Sequence, residues 1–377
     1  MKRFFKVVVI IIIVLGIAFL AAPSYLRKAL IYLYAGIDDQ YKFETRTIKA
    51  GKAIPWKVSA NYNKTKASDS LHKSIESYKT IAYLVIQNDS IRYEEYWDHY
   101  SDSSVTNAFS ATKSIISLLI GIAIDEGKIK SVDQKVSDFF TEFAEGYGKE
   151  LTIKHLLTMS SGLNWDESYG SPFSKTTQAY YGSDLKKLIM NLKVTSQPGK
   201  EFNYLSGNTQ LLAFILAKAT GKHLADYASE KLWQPLGSEH DALWYLDKKD
   251  GMEKSYCCFS SNARDFARIG QMVLDSGKYN GKQIVSYAYL SQALARDTFL
   301  IDENKETVDY YGYQWWIVDY KGMKIPFARG ILGQYIFVIP QLNAVVVRLG
   351  HKRDTFYKNN MPLDVYTYLD AALDILK

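Results

Sequence analysis

The segment 111–126 constrains the fold more than any other. Ile115, Ile116, Leu118, Leu119, Ile120, Ile122 and Ile124 leave it apolar nearly all round. A helix without a polar face is stable only when other elements surround it, so the chain must wrap this one, and Gly127 is placed to end it. At 377 residues, 47% hydrophobic and 23% charged, the chain is long enough for such a core, as one large domain or two smaller ones.

Strands are expected on both sides of this helix in sequence. The stretches 81–87 and 91–97, separated by Asn88-Asp89-Ser90, read as a hairpin. Strand-like stretches recur at 313–318, 324–328, 334–339 and 344–348, with turns at Gly322 and at 340–343. The middle, about 130–250, is dominated by helical patterns, including a helix over 208–220 closed by Gly221. Another helix opens at Asn262, with Asp265 three residues later in a capping arrangement, and ends near Gly277. The tail, 363–376, has helical spacing. The expected class is α+β: an antiparallel sheet assembled from both ends of the chain, flanked by helices, with a mainly helical insertion.

The N-terminus is a separate unit. Lys2, Arg3 and Lys6 precede an unbroken apolar run over 7–22, stopped by Pro23. As a helix, residues 4–22 would span about 28 Å, close to the thickness of a bilayer core. We read 1–23 as an uncleaved anchor, with a signal peptide cleaved near Leu20-Ala21-Ala22 as the alternative. Either way the basic end stays inside and the rest is exported, which places the domain at the periplasmic side of the inner (cytoplasmic) membrane or, after cleavage, in the secreted fraction. Residues 24–75 read as a polar lead-in, and 76–377 as the main domain.

Several function classes are disfavoured. Net charge is +6, but no dense Lys/Arg block with interleaved aromatics occurs, so no nucleic-acid partner is expected. Six scattered histidines show no metal-ligand spacing, and neither a Gly-x-Ser-x-Gly elbow nor a phosphate-cradling Gly-rich loop is present; no metal or organic cofactor is expected. Cys257 and Cys258, the only cysteines, are neighbours, and a bridge between them would be strained, so no structural disulfide is expected.

Ser-x-x-Lys occurs at Ser70/Lys73, Ser110/Lys113 and Ser183/Lys186, and the pattern alone is weak in a lysine-rich chain. Only Ser110 stands where a polar loop meets the long buried helix. There it would feel the positive end of the helix dipole beside unpaired N–H groups, which can stabilise an oxyanion. Lys113 falls on the same face one turn later, and keeping a buried ammonium charged is costly, which suits a general base. The plainer alternative makes Ser110 an ordinary N-cap and Lys113 a snorkelling surface residue.

At this point a resemblance becomes specific. Ala108-Phe109-Ser110-Ala111-Thr112-Lys113-Ser114 with the following Gly121–Gly127 stretch resembles the first motif of the serine β-lactamase and penicillin-binding superfamily. His155-Leu156-Leu157-Thr158-Met159-Ser160-Ser161-Gly162-Leu163 and Pro198-Gly199-Lys200-Glu201-Phe202-Asn203-Tyr204 resemble its class C and esterase-like branch. The resemblance covers roughly residues 75 to 375. It implies the β-lactamase/DD-peptidase-like fold, and makes Tyr204 a proton carrier between Ser110, Lys113 and the leaving group. A phenol beside an ammonium suits that task, although among 29 tyrosines a purely structural one is the plainer reading.

The departures narrow the function. Tyr204-Leu205-Ser206 has serine where β-lactamases usually have asparagine, and Phe327-Ala328-Arg329-Gly330-Ile331-Leu332-Gly333-Gln334 replaces their Lys-Thr-Gly motif. Both features are similar to the 6-aminohexanoate-dimer hydrolase subgroup. That match implies an oxyanion hole from the N–H groups of Ser110 and Ile331, and makes Ser206, Arg329 and Gly330 substrate-side residues. Trp165-Asp166-Glu167-Ser168-Tyr169 resembles the loop that carries a substrate-covering tyrosine, here Tyr169. Esterase or amidase action on small substrates is therefore expected. The alternatives are a D-amino-acid peptidase or weak β-lactamase acting on cell-wall-related substrates, and a membrane-tethered binding or sensor protein without turnover.

Overall fold

No residue of the N-terminal helix, α1 (Lys2–Ala21), is buried against the rest of the chain in the computed structural model, which describes residues 1–377. Ala22 and Pro23 separate it from α2 (Ser24–Tyr32), which packs on the main body. The segment 24–75 carries more regular structure than its polar composition suggests. Besides α2 it contains β1 (Thr45–Ile48), β2 (Lys57–Val58) and the start of α3 (Asp69–Ser77).

The expected hairpin forms as β3 (Thr80–Gln87) and β4 (Ser90–Tyr96), with Asn88 and Asp89 at positive φ in its two-residue turn. After β5 (Thr106–Asn107) comes α4 (Thr112–Asp125), in which every residue from Thr112 to Ala123 is buried. The middle supplies α5 (Lys175–Tyr181), α6 (Ser206–Thr220), β6 (Ala242–Tyr245) and β7 (Phe259–Ser261). Gly221 ends α6 in the left-handed conformation, where glycine carries no Cβ penalty. The next helix, α7 (Ala263–Leu274), starts at Asn262, whose side chain accepts the Asp265 N–H at 2.8 Å. The chain closes with β8 (Trp316–Tyr320), β9 (Met323–Gly330), β10 (Gln334–Ile339), β11 (Ala344–Gly350) and α8 (Leu363–Ile375).

The main sheet has the order β8-β9-β10-β11-β3-β4-β2. It is antiparallel except at its edge, where β2 runs parallel to β4. The join between the two chain ends is β11 against β3, with Val346 opposite Val85. Side chains alternate between its faces. Ala82, Leu84, Ile336, Val345 and Val347 belong to one core with α4 and α7, while Tyr83, Val85, Tyr335, Phe337 and Val346 belong to a second with α8. A smaller sheet, β1-β6-β7-β5, was not expected; it brings the lead-in strand β1 against β6.

Two expectations are corrected. The strand expected from 313 starts at Trp316 instead, because Gln314 adopts φ 64° and is tied down elsewhere: its amide donates to the carbonyls of Leu156 and Leu157, each at 3.0 Å. Cys257 and Cys258 are bonded to each other, contrary to the strain argument. The chain accommodates the pairing with Cys258 at φ 76°, in a buried loop that leads into β7.

Candidate active site

Ser110 does not begin a helix directly. It sits in a 3-10 turn (Phe109–Ala111) that runs into α4, and Phe109 before it is held at φ 46°. A bulky residue in that region costs on the order of 1 kcal/mol or more. The Asn107 side chain supports the turn by accepting the Phe109 N–H at 2.9 Å. From the other side, β9 packs so closely that a Cβ at Gly330 would lie 2.2 Å from the Ala108 carbonyl oxygen. Glycine is required there to bring the end of β9 against the serine turn.

Lys113 is 1% exposed and its Nζ makes three hydrogen bonds: to Ser110 Oγ at 2.9 Å, to Ser206 Oγ at 3.2 Å and to the Tyr256 carbonyl at 2.7 Å. These are all the donors an ammonium has. A neutral amine could keep the last two and turn its lone pair to the serine hydroxyl. The Tyr204 ring flanks the amine, its centroid 5.0 Å from Nζ, and rests against Trp316 and Tyr311.

Ser206 opens α6 and is tied to a residue that sequence reasoning missed. Glu167 accepts the Ser206 N–H and Oγ–H, each at 2.6 Å, together with Trp165 Nε1–H at 2.7 Å and Tyr169 O–H at 2.6 Å. A carboxylate at a helix N-terminus also meets the positive end of its dipole. With Ser206 Oγ donating to Glu167, its lone pairs face Lys113. Nothing in the sequence marks Glu167 as folding back onto the helix. The Tyr256 carbonyl was equally invisible, since a backbone acceptor has no residue signature.

The structure thus brings together Ser110, Lys113, Tyr204 and Ser206. Ile331, in the turn after β9, lines a cleft with Ser110, Ser206 and the half-exposed Tyr169, and its N–H has no protein acceptor. Gly330 stands behind this turn as a packing position. Arg329 does not line this cleft; it reaches the Tyr204 side of the site through Trp316, which packs on the Tyr204 ring. Strand alternation turns it to the side of Phe327, where its guanidinium stacks 3.2 Å from the centroid of the Trp316 ring.

A buried lysine hydrogen-bonded to a serine one helical turn earlier, beside a flanking tyrosine, defines a serine hydrolase. The chain belongs to the beta-lactamase family, whose profile matches residues 73–363. It is 26% identical over 322 residues to a 6-aminohexanoate-dimer hydrolase of Paenarthrobacter ureafaciens, covering 81% of each chain. Among solved structures, a putative 6-aminohexanoate-dimer hydrolase from Bacillus anthracis superposes with a TM-score of 0.77 at 22% identity, over 89% of this chain and 92% of that one. A family VIII carboxylesterase superposes at 0.63 and 16% identity, over 88% and 100%.

Proposed function

We propose that this chain is an anchored hydrolase that cleaves small esters or amides through an acyl-enzyme on Ser110. The observation that carries this reading is the Lys113 amine, buried, 2.9 Å from Ser110 Oγ. Ser110 attacks the carbonyl as Lys113 takes its proton, and the oxyanion is held by the N–H groups of Ser110 and Ile331. The proton passes through Tyr204 or Lys113 to the leaving group, and water then releases the acyl group. Helix α1, long and apolar enough to cross a bilayer, supports the anchor, with the domain on the extracytoplasmic side.

The test uses the full chain in phosphatidylcholine vesicles with p-nitrophenyl acetate and butyrate. Turnover is expected and should vanish in Ser110→Ala. Absence of turnover on any ester or amide would instead favour a binding protein.

Glu167 acts as a positioning residue through Ser206. Exchanging one oxygen for an amide in Glu167→Gln leaves one acceptor for the four donors now satisfied, at a cost of about 1–3 kcal/mol in unfolding free energy. The expected kinetic result is a roughly tenfold fall in kcat with KM nearly unchanged, because Ser206 then holds Lys113 less well. A purely structural carboxylate would lower stability alone.

A further inference from the structure

The cleft that reaches Ser110 has a volume of about 570 Å³, within the usual range for small-molecule sites. Its lining is mostly apolar, and none of the lining residues is charged. One wall comes from the lead-in: Ala29 and Leu30 of α2, then Leu33 and Tyr34 just beyond it. Further lining comes from the segment from Tyr169 through α5, including Pro172 and Tyr180, and α2 packs against α5. The floor is the site itself, with Ser110, Ser206 and Ile331.

Two further observations concern the rim. Leu30, Leu33, Tyr34 and Tyr169, all lining this cleft, are exposed large apolar side chains. Soluble proteins rarely collect such residues without a binding purpose. Only Ala22 and Pro23 separate α1 from α2, and the cleft-lining residues lie at the far end of α2. One wall of the cleft is therefore built by the stretch of chain that follows the apolar helix.

From these features we infer that the cleft receives the acyl chain of an uncharged, single-chain ester amphiphile taken from a membrane surface, with the ester carbonyl at Ser110 and the chain laid along α2. This deepens, and rests on, the serine-hydrolase reading. The absence of charged lining residues disfavours substrates with carboxylate or ammonium groups near the acyl side, since such a group would be desolvated there without a partner. An alkyl chain gains by every methylene it buries. In the reaction, Ser110 Oγ bonds to the acyl carbon and the bond to the alkoxy oxygen breaks. The serine proton leaves on the alcohol, and water then yields the free carboxylic acid and restores Ser110.

The test is a chain-length series of p-nitrophenyl esters, acetate to dodecanoate, each below its micellar concentration, with the full chain in phosphatidylcholine vesicles. Each fully buried methylene is worth about fourfold (about 0.8 kcal/mol). If about half of the six added methylenes are buried, kcat/KM for octanoate should exceed that for acetate by about 50-fold. Leu30 and Leu33 are exposed at the rim, so the double variant Leu30→Asp, Leu33→Asp should fold. It should cut the octanoate-to-acetate ratio at least tenfold. Acetate turnover with a flat or falling series overturns the acyl-chain proposal and leaves the hydrolase reading standing. A rising series that the double variant does not change also overturns it, because the chain then lies elsewhere. Failure to turn over any ester or amide removes the hydrolase reading itself, and the proposal with it.

Discussion

Replacing Lys113 by methionine should lower kcat/KM on p-nitrophenyl butyrate by roughly 10⁴-fold, the upper part of what general-base catalysis supplies. Methionine matches the lysine stem closely in length, so packing around a side chain that is 1% exposed is largely kept. Lost are the proton acceptor for Ser110 and the bonds to Ser206 Oγ and the Tyr256 carbonyl. Two buried acceptors then go short of a donor, at about 1–3 kcal/mol each. Urea unfolding should therefore report a folded protein of reduced stability. Lys113→Arg sharpens the test, since an arginine keeps the charge and does not give up its proton. If the lysine serves as base, both variants are equally inactive; substantial activity in the arginine variant would show that charge alone suffices.

The second large effect concerns Lys254, two residues before Tyr256. It is 1% exposed, with its amine 4.0 Å above the Phe43 ring and 5.9 Å from that of Tyr180. Burial pulls its pKa down to about 7, and the attraction of Asp247 offsets only part of this. Between pH 7 and about 10.5 the unfolded chain holds a proton at this lysine and the folded chain does not, so stability rises with pH across that window. At about 1.4 kcal/mol per pH unit, the gain from pH 7 to 9.5 is about 3 kcal/mol. Lys254→Met should flatten this slope and be more stable at pH 7 by several kcal/mol, as read by urea unfolding of the full chain. Staying below pH 10 matters, because buried tyrosines such as Tyr289, whose pKa burial raises, oppose the trend once phenols ionise in the unfolded chain. An unchanged slope in the variant would show that Lys254 stays charged in the fold.

What was legible in the sequence was what local pattern encodes. The all-round apolarity of α4 gave its depth, alternation gave the β3–β4 hairpin, and the Asn262–Asp265 spacing gave a helix start. The small sheet was not legible, because its strands hold two to four residues and Thr45 of β1 meets Tyr245 of β6 far along the chain. In the site, Ser110 and Lys113 could be placed because three residues on a helix fix their relation. Tyr204 and Ser206 came through resemblance. Glu167, the Tyr256 carbonyl and the α2 wall arrive by tertiary folding, and no spacing rule connects them to Ser110. The cysteine pair shows the opposite failure: a sound general penalty was applied without knowing that Cys258 takes a positive φ.

The pairing of β11 with β3 also bears on how this protein is made. The two strands are roughly 260 residues apart, a separation that makes loop closure slow and late. Until β11 is available, the β3–β4 hairpin has an open apolar edge, and α4 lacks the sheet that covers it. A growing chain therefore carries this apolar surface early and the strand that shields it nearly last. Folding yield should depend on how long the early segments are kept apart. Shortening the chain before Ala344 should leave an insoluble product even though Ser110, Lys113 and Tyr204 are all present.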